Sequence, residues 1–251
     1  MKKNPLISVI TVVYNGEKYL QQTIDSVYNQ TYKNIEYIII DGKSTDNTIA
    51  IIKDNESKIT TWISEKDNGL YDAMNKGISL ANGVLIGTIN SDDWYEPNAV
   101  ELVVENFLKN PDAKLIHANR FDIYQNKSKK EYKFNTSAFK FKYFGMTFSH
   151  PTVFVAKEIY GNYKYNTSLK SLSDYQFILQ VYLKHEKNFI FIPKPLVNFR
   201  LGGISAQIGF FEELKEAYKA RKYAGLSFLE RILAAVLKCI LQPIVYIKNR
   251  I

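Results

Sequence analysis

The chain has little of the residues that build disulfides and soft-metal sites. Its 251 residues include one cysteine, Cys239, and three histidines. A single cysteine excludes an internal disulfide and a cysteine metal cluster, and three scattered histidines do not supply the ligands of a zinc site. Glycine-rich phosphate loops of the P-loop or Rossmann type are also missing from the sequence. A reducing, cytoplasmic location is therefore expected.

The sequence also lacks a hydrophobic run long enough to cross a bilayer. Residues 1–5 lead directly into a strand-like segment, so no signal peptide is expected. The most apolar segment, residues 228–241, is interrupted by charged side chains. It is shorter than the ~20 apolar residues that a membrane span needs.

The formal net charge of +8 is distributed unevenly. Residues 1–110 carry 10 lysines and 15 acidic residues, a net charge of −5, whereas residues 111–251 have a net charge of +13. An acidic half would repel a phosphate ligand unless a cation lies between them. A basic half indicates an anionic partner, either membrane headgroups or a phosphate-bearing substrate, although scattered lysines are also typical of a solvated face. Nucleic acid is not expected as a partner.

The first 110 residues alternate between buried strands and amphipathic helices. Runs rich in β-branched residues predict strands at Leu6–Tyr14, Ile35–Ile40, Ile59–Ser64 and Val84–Ile89. Helical spacing predicts helices at Glu17–Gln30, up to about Asp54, at Leu70–Ala81 and at Pro97–Leu108. The third of these helices has Leu70, Met74, Ile78 and Ala81 along its apolar stripe. Short β-α connections of this kind predict a mostly parallel sheet with helices on both faces.

Acidic residues follow three successive strands of this predicted sheet. They are Asp41 after the second strand, Glu65 and Asp67 after the third, and Asp92 and Asp93 after the fourth. On the last pair alone, a site for Mg²⁺ or Mn²⁺ and a solvated turn with a helix-capping carboxylate are equally good interpretations. The carboxyl ends of parallel strands share one edge, so the acids should converge there, and this convergence favours a ligand site.

The second half of the chain has a weaker pattern. Strands are predicted at Ala113–Asn119, Arg120–Tyr124, His150–Val155 and Phe189–Ile192, a basic, aromatic-rich hairpin or loop at Lys127–Lys142, a helix at Asp174–Leu183, and a glycine turn at Gly202–Ser205. Three residues are candidates for a site. His150 begins a predicted strand, Asp174 begins a predicted helix and is an N-cap candidate, and Arg200 precedes the glycine turn.

The end of the chain predicts an amphipathic helix. Its polar residues fall within about a third of the helical circle, and they are Ser227, Glu230, Arg231, Lys238 and Gln242. We favour a helix lying in the plane of a membrane surface, because Lys215, Lys219, Arg221, Lys222, Lys248 and Arg250 are nearby. The alternative is a helix packed on the preceding domain or on a second subunit.

Three segments together resemble one enzyme family. They are SVITVVYNGEKYLQQTIDSVYNQTYKNIEYIIIDGKSTDNT, SEKDNGLYDAMNKGI and GTINSDDWY, in this order between Leu6 and about Leu108. This part of the sequence resembles the family-2 glycosyltransferases, which have the GT-A fold. The resemblance implies a catalytic domain over residues 1–205, with a nucleotide-sugar-binding half at 1–110 and an acceptor-binding half at 111–205. Residues 206–251 would form a helical, basic extension.

The resemblance also implies roles for individual residues. Asp41 would face the nucleobase, and the backbone of Val13, Tyr14 and Asn15 would border it. Asp67 and Asp92 would lie near the ribose and phosphates, and Asp93 would be the firmest ligand of a divalent cation, with Asp92 as a second contact. Asp174 occupies the place of the catalytic base, with a helix N-cap as the alternative, although Ser173 stands where a second acid often precedes it. His150 would contact the acceptor or be a packed polar residue, and Arg200 would hold the diphosphate or be a surface arginine.

Three functions follow as hypotheses. The first is an inverting, metal-dependent glycosyltransferase that moves a sugar from a nucleotide-diphospho-sugar to a glycan or lipid-linked acceptor in surface polysaccharide synthesis. The second is a non-catalytic nucleotide- or glycan-binding subunit with the same fold, which Ser173 motivates. The third is a metal-dependent signalling or phosphatase-like domain, but such domains usually place their acids after the first strand, where this chain has Tyr14-Asn15-Gly16.

Overall fold

The computed structural model describes residues 4–202 and 209–248, with residues 241–248 described only as helical backbone. Gly203 and Ser205 of the predicted glycine turn, the predicted boundary between residues 205 and 206, and Arg250 lie outside this part of the chain. The same is true of the side chains of Gln242 and Lys248.

Within the described residues, strands and helices alternate over the first 110 residues as predicted. The strands are β1 Ile7–Val13, β2 Ile35–Asp41, β3 Thr61–Ser64, β4 Leu85–Asn90, β5 Trp94–Tyr95, β6 Leu115–Ile123, β7 Lys129–Tyr132, β8 Phe154–Ala156 and β9 Phe189–Arg200. The helices are α1 Leu20–Tyr28, α2 Thr48–Asp54, α3 Leu70–Leu80, α4 Ala99–Lys109, α5 Ala138–Tyr143, α6 Ser173–His185, α7 Phe210–Ala224 and α8 Phe228–Lys248.

One sheet of order β3-β2-β1-β4-β8-β6-β9-β5 organises the molecule, with β7 paired to β6. The pairs β3-β2, β2-β1 and β1-β4 are parallel, which confirms the prediction for the first half. Beyond β4 the sheet is mixed, because β8 is antiparallel to both β4 and β6. The strand order reverses after β3, so right-handed crossovers put α1 and α2 on one face and α3 on the other.

Helix α3 lies very close to β1, and a glycine permits this approach. A Cβ atom added to Gly77 would be 2.6 Å from Cγ2 of Ile10, closer than packed carbon atoms come. The buried side of α3 is formed by Tyr71, Ala73, Met74 and Gly77. Leu70, predicted to lie on the apolar stripe, is instead exposed.

The second half departs from the predicted elements. The predicted short strand Phe189–Ile192 continues to Arg200, and two register shifts in β6 absorb the part that contains Pro193 and Pro195. The two strands predicted at Ala113–Tyr124 are the single strand β6. His150 does not lie in a strand, because His150–Thr152 is a 3₁₀ turn before β8. A proline following His150 explains this, since proline interrupts strand pairing.

The two C-terminal helices are packed on the rest of the fold. The guanidinium of Arg221 on α7 is buried and donates to the backbone oxygens of Lys142 and Tyr143, each at 2.9 Å. The carboxylate of Glu216 accepts hydrogen bonds from the backbone N–H groups of Lys170 and Ser171, just before α6. Helix α7 is therefore attached to the segment that leads into Asp174. No helix in the part of the chain that the structure describes has the length and apolarity needed to span a membrane.

A buried carboxylate links the amino-terminal ends of β1, β2 and β4. Glu36 accepts hydrogen bonds from the Ser8 hydroxyl and from the backbone N–H groups of Asn82 and Gly83. Burial raises the pKa of Glu36, but the hydrogen bonds outweigh burial and the pKa is lowered. The bonds are therefore complete at neutral pH, and their contribution to stability is lost as the pH falls through this lowered pKa.

Replacing Glu36 with alanine should destabilise the protein by about 3 kcal/mol, because the Ser8 hydroxyl and the Asn82 N–H would lose their acceptor and the buried Gly83 N–H would keep only the Ser8 oxygen. We expect the melting temperature at pH 7 to fall by roughly 6–12 °C. Glu56→Ala, at an exposed turn, is the control and should shift it by about 1 °C or less. Equal melting temperatures for the two variants would contradict this role of Glu36.

Candidate active site

The carboxyl ends of the four parallel strands form one edge of the sheet. The register pairs Val13 with Asp41, Asp41 with Ser64, and Val12 with Asn90. The residues that follow these strands therefore start from neighbouring positions, as predicted from their placement in the sequence.

The loops after β1 and β2 are joined by an array of hydrogen bonds. The backbone N–H groups of Asn15, Gly16 and Glu17 donate to the side chains of Ser44, Thr48 and Asp46, at 2.8, 2.8 and 3.1 Å. In return, the Asn15 side chain accepts from the N–H of Thr45 at 2.9 Å. The hydroxyl and carboxylate groups dense in residues 41–48 thus fix the neighbouring loop. Asp46 also accepts from the N–H of Thr48, the first residue of α2, at 3.0 Å, whereas the N-cap residue Asn47 makes no side-chain cap bond.

Asp41 shapes this pair of loops from inside. Its carboxylate is fully buried and accepts hydrogen bonds from the backbone and hydroxyl of Ser44 and from the hydroxyl of Ser64. Next to it, Gly42 lies between the exposed ring of Tyr14 and the carboxylate of Asp67. A Cβ atom on Gly42 would be 3.5 Å from the Tyr14 ring and 3.1 Å from Asp67 Oδ2. A flat ligand could lie on this surface, and contact of Asp41 with a nucleobase stays a prediction.

Asp67 is held by a lysine from α3. Nζ of Lys76 is 2.5 Å from Asp67 Oδ1 and 2.8 Å from Glu65 Oε1. Hydrogen bonds to Asp67 and Glu65 raise the pKa of Lys76, and burial raises the pKa of Asp67 more than the lysine lowers it. Lys76 therefore fixes the two acids that follow β3 and keeps a positive charge beside them.

Asp92 and Asp93 differ in their surroundings. Asp93 is only 1% exposed, and its two oxygens accept from the backbone N–H of Arg200 and the side chain of Asn90, each at 2.9 Å. Burial, followed by the charge of Asp92, raises the pKa of Asp93 to about 7. Asp92 is half-buried, and burial also raises its pKa. Asp92 is thus the carboxylate of the pair that a ligand can reach.

Arg200 lies against both the acid pair and α1. Its Nε atom is 3.2 Å from the backbone oxygen of Asp92, and its Nη2 atom donates to Gln22 at 3.0 Å. The guanidinium lies 3.9 Å from the centroid of the Tyr19 ring and 5.1 Å from that of Trp94. Aromatic contacts of this kind fix the plane of a guanidinium, so Arg200 presents an oriented positive charge beside Asp92.

The residues present are suited to a cation that also binds a ligand. In the described part of the chain, no three acidic, histidine or cysteine side chains come together as a complete metal site. Burial nevertheless raises the pKa of both Asp92 and Asp93, and the charge of Asp92 adds to the effect at Asp93. A nearby divalent cation would favour the charged form of both carboxylates. Mg²⁺ and Mn²⁺ commonly take one or two carboxylates and complete their coordination with water and phosphate.

Asp174 lies in a second polar group, next to α3. It occupies the first turn of α6 rather than the N-cap, which is Leu172. The hydroxyl of Tyr71 donates to Asp174 Oδ1 at 3.2 Å, and the Tyr71 ring stacks on Tyr165 with centroids 5.7 Å apart. The Tyr165 hydroxyl is 2.8 Å from Nε2 of His150. Asp174 and His150, both predicted as site residues, are therefore connected through two tyrosines.

His150 is suited to contact rather than to proton transfer. Burial lowers its pKa, and the charge of Asp174 offsets only part of this effect. The ring is therefore neutral at pH 7 and shares a hydrogen bond with Tyr165. Whether it contacts an acceptor stays a prediction.

Helix α3 contributes three contacts to the site that were not predicted from the sequence. Tyr71 holds Asp174, Asn75 exchanges two hydrogen bonds with the backbone of Tyr165, and Lys76 holds Asp67. Tyr71 and Asn75 are four residues apart, so they share a helix face. This four-residue spacing is the sequence signal for a polar face on α3, whereas the apolar stripe indicates only the face that packs on the sheet.

Comparison with known families agrees with this arrangement. A profile described as "Glycosyl transferase family 2" matches residues 8–163. The chain belongs to glycosyl transferase family 2. The match includes the strand-end acids, α3 and His150, and it ends before Asp174 and Arg200.

Curated relatives of this glycosyl transferase family 2 protein match less than half of its chain. It is 38% identical over 112 residues to a chondroitin synthase of Escherichia coli, covering 43% of this chain and 16% of that protein. It is 39% identical over 108 residues to a hyaluronan synthase of Pasteurella multocida, covering 42% and 11%. An uncharacterized glycosyltransferase of Mycobacterium tuberculosis (strain ATCC 25618 / H37Rv) is 42% identical over 107 residues, covering 42% and 41%. The chain thus spans less than half the length of each relative.

Solved structures match almost the whole chain and have the same GT-A fold. Staphylococcus aureus TarS residues 1–349, in complex with UDP-GlcNAc, superposes with a TM-score of 0.72 at 16% identity, covering 93% of this chain and 71% of that one. A mannosyltransferase from Pyrobaculum calidifontis, in complex with GDP-Man and Mn²⁺, has a TM-score of 0.61 at 13% identity, covering 94% and 69%. The predicted fold class is therefore confirmed, including the part beyond residue 110.

Proposed function

We propose that this protein is an inverting glycosyltransferase. It moves a sugar from a nucleotide-diphospho-sugar to a hydroxyl of a glycan or lipid-linked acceptor, with a divalent cation, Mg²⁺ or Mn²⁺. The observation that carries the proposal is the pairing of two separate carboxylate sites on one scaffold. Asp92 lies beside an oriented Arg200 at the sheet edge, and Asp174 is held by Tyr71 at the start of α6. The synthases among the relatives support a place in polysaccharide synthesis.

On the donor side, Tyr14 and Gly42 would form the surface for the base, with Val13 and Asn15 at its border. Asp67, fixed by Lys76, would accept from ribose hydroxyls. Asp92 would hold the cation, and Asp93 would position this turn through Arg200 and Asn90. Asp92 rather than Asp93 is thus the main cation ligand proposed here, the reverse of what the family resemblance implies. When bound, the cation supplies positive charge to the departing diphosphate. Arg200 adds a second positive charge there.

On the acceptor side, Asp174 would act as general base. A hydroxyl is a weak nucleophile, so a carboxylate must take its proton as the new C–O bond forms and the bond to the diphosphate breaks. A single displacement of this kind inverts the anomeric carbon. Ser173, which motivated the non-catalytic alternative, is buried and accepts from the N–H of Asn166 at 2.6 Å. Ser173 therefore has a structural role, and its presence in place of an acid does not argue for a non-catalytic protein.

The proposal is tested by thermal shift with UDP, GDP and their sugars, with and without Mn²⁺. A nucleotide diphosphate should raise the melting temperature by about 5–10 °C at saturation, and only in the presence of the cation. The matching sugar nucleotide should then release its diphosphate on addition of acceptor. Stabilisation that is independent of any cation would contradict the proposed donor site.

Replacing Tyr71 with phenylalanine should lower kcat about ten- to a hundredfold and leave the donor KM unchanged. The change removes one hydrogen bond to a charged group, worth about 1.5–3 kcal/mol, and keeps the ring that stacks on Tyr165. Tyr32→Phe is the control, since its hydroxyl bonds to the Pro5 carbonyl at the opposite edge of the sheet. If kcat falls and the donor KM rises by similar factors, the Tyr71 hydroxyl only supports the fold and has no specific role at Asp174.

We further propose that α8 binds an anionic membrane surface. Its outer face is apolar and exposed, and consists of Phe228, Leu229, Ile232, Leu233, Val236 and Ile240. On the opposite side, the buried Lys238 pairs with Glu213 of α7 at 2.6 Å. Glu230 and Ser227 cap the start of the helix. Exposed Lys215, Lys219 and Lys222 on α7 provide positive charge. An apolar face with adjacent lysines is typical of helices that lie in the headgroup region of anionic membranes.

Vesicle flotation tests this surface. The protein should float with vesicles that contain phosphatidylserine, and the double variant Leu229→Glu, Val236→Glu should reduce the bound fraction at least tenfold. Leu108→Glu, an exposed apolar residue on α4, is the matched control and should bind as wild type. Equal flotation of all three proteins would exclude α8 as the membrane-binding element.

A further inference from the structure

An ion pair on β6 has no part in the functions considered so far. Nε of Arg120 donates to Asp122 Oδ1 at 2.7 Å, and the two side chains are 17% and 15% exposed. The guanidinium lies between two rings, 4.0 Å from the centroid of Phe199 on β9 and 4.6 Å from that of Tyr132 on β7. Both charges are therefore held in fixed positions and are largely withdrawn from water.

Stability alone does not explain this pair. Taking two charges out of water costs several kcal/mol per ion, and well-packed apolar side chains in the same place are often equally or more stabilising. Tyr132 of β7 pairs with Arg120 of β6, so Arg120, Asp122 and Tyr132 all point to the same face of the sheet. The ring of Tyr132 is partly exposed on this face. A mostly buried ion pair beside an accessible ring indicates a ligand contact.

The pair lies between the two halves of the candidate site. Nη1 of Arg120 is 3.4 Å from the hydroxyl of Ser149, the residue before His150. In the other direction, the Phe199 ring against which Arg120 packs directly precedes Arg200, whose backbone N–H donates to Asp93 Oδ1 at 2.9 Å. Arg120 is thus close both to the acid pair on the donor side and to the His150 segment that connects to Asp174.

The unused hydrogen-bonding groups define the chemistry of a ligand. Within the described residues, Nη2 of Arg120 and Oδ2 of Asp122 make no hydrogen bond to protein, so a donor and an acceptor lie side by side. Neighbouring sugar hydroxyls donate and accept in the same way, and the C–H face of a sugar ring packs on an aromatic ring. A phosphate or carboxylate would instead be repelled by Asp122.

We propose that Arg120, Asp122 and the ring of Tyr132 form the subsite for a neutral sugar ring of the acceptor. The inference rests on the proposed function, and it adds the class of acceptor: a glycan end without charge, rather than a free phosphate group. Arg120 and Asp122 bind its hydroxyls, and Tyr132 covers one face of the ring. The reacting hydroxyl then lies toward Asp174.

Binding of methyl glycosides tests the subsite without requiring turnover. Saturation-transfer NMR would use methyl glucoside, methyl galactoside and methyl N-acetylglucosaminide, with glycerol 3-phosphate as the anionic probe, in the presence of UDP and Mn²⁺. At least one neutral glycoside should bind to wild type. Arg120→Gln, Asp122→Asn and Tyr132→Leu should each raise its dissociation constant at least tenfold. Lys130→Gln, an exposed charge on β7, should leave it unchanged.

The affinity for UDP with Mn²⁺ separates failure of this inference from failure of the proposed function. The three subsite variants should retain the wild-type affinity for UDP within twofold, whereas Asp92→Ala should lose it. Binding of glycerol 3-phosphate in preference to every glycoside, or unchanged glycoside binding in all three variants, would overturn the subsite. A wild type that binds no neutral glycoside would overturn it as well.

Discussion

The variant Asp174→Asn should lose sugar transfer about a thousandfold in kcat while its affinity for the donor stays within twofold of wild type. General bases contribute about 10²–10⁴ to a rate, and an amide cannot take the proton of the acceptor hydroxyl. Asparagine has the same shape and its oxygen still accepts the hydrogen bond from Tyr71. The loss therefore reports on proton transfer rather than on a displaced helix.

Two measurements separate these effects. Calorimetry with UDP and Mn²⁺ gives donor affinity, and release of UDP from the sugar nucleotide gives turnover. Asp54→Asn, at an exposed position of α2, controls for the change of charge and should behave as wild type in both. If Asp174→Asn weakens UDP binding as much as it slows turnover, Asp174 supports the donor site and the base must be sought elsewhere.

The sequence was most informative where hydrophobic pattern and chain order agree. β1, β2 and β4 are continuous apolar runs because both faces of each strand are covered, and such runs have few alternative structures. Short connections then require a parallel arrangement, so the convergence of Asp41, Asp67 and Asp92 at one edge followed from order alone. The four parallel strands can therefore be predicted without information on contacts between distant residues.

The second half depends on contacts that no local pattern contains. β9 runs through Pro193 and Pro195 because β6 shifts its register to accept them. α5 was not expected, since its six residues lie in a basic segment and are held in part by Arg221, almost 80 residues away in sequence. Such elements are specified by their partners rather than by their own spacing.

The same limit applies within the site. Adjacent carboxylates in a sequence are equivalent until burial distinguishes them, and here Asp93 is turned inward while Asp92 remains reachable. The predicted helix contains Tyr71, but no local pattern shows that the Tyr71 hydroxyl reaches a residue more than 100 positions away. One helix, α3, thereby fixes Asp67 through Lys76 and Asp174 through Tyr71, so that the proposed donor and acceptor sites are held by the same helix.

The burial difference within the acid pair leads to the other large expected effect. Asp92→Ala should keep the fold and lose the cation-dependent binding of UDP at least a hundredfold, because it removes the carboxylate that can reach a cation. Asp93→Asn should retain most of this binding, since the amide oxygen still accepts the N–H of Arg200. Asp93→Ala should instead lower stability by about 1–3 kcal/mol, because two donors lose their acceptor.

Thermal shift with UDP, measured over a range of Mn²⁺ concentrations, distinguishes the two carboxylates. The stabilisation of about 5–10 °C should disappear in Asp92→Ala and persist in Asp93→Asn. The opposite result would restore Asp93 as the firmest cation ligand and would require the turn between Asn90 and Trp94 to open when the donor binds. Loss of the stabilisation in both variants would mean that both carboxylates bind the cation. The cost of burying the Asp93 charge would then be offset by the bound ion rather than by the hydrogen bonds from Asn90 and Arg200.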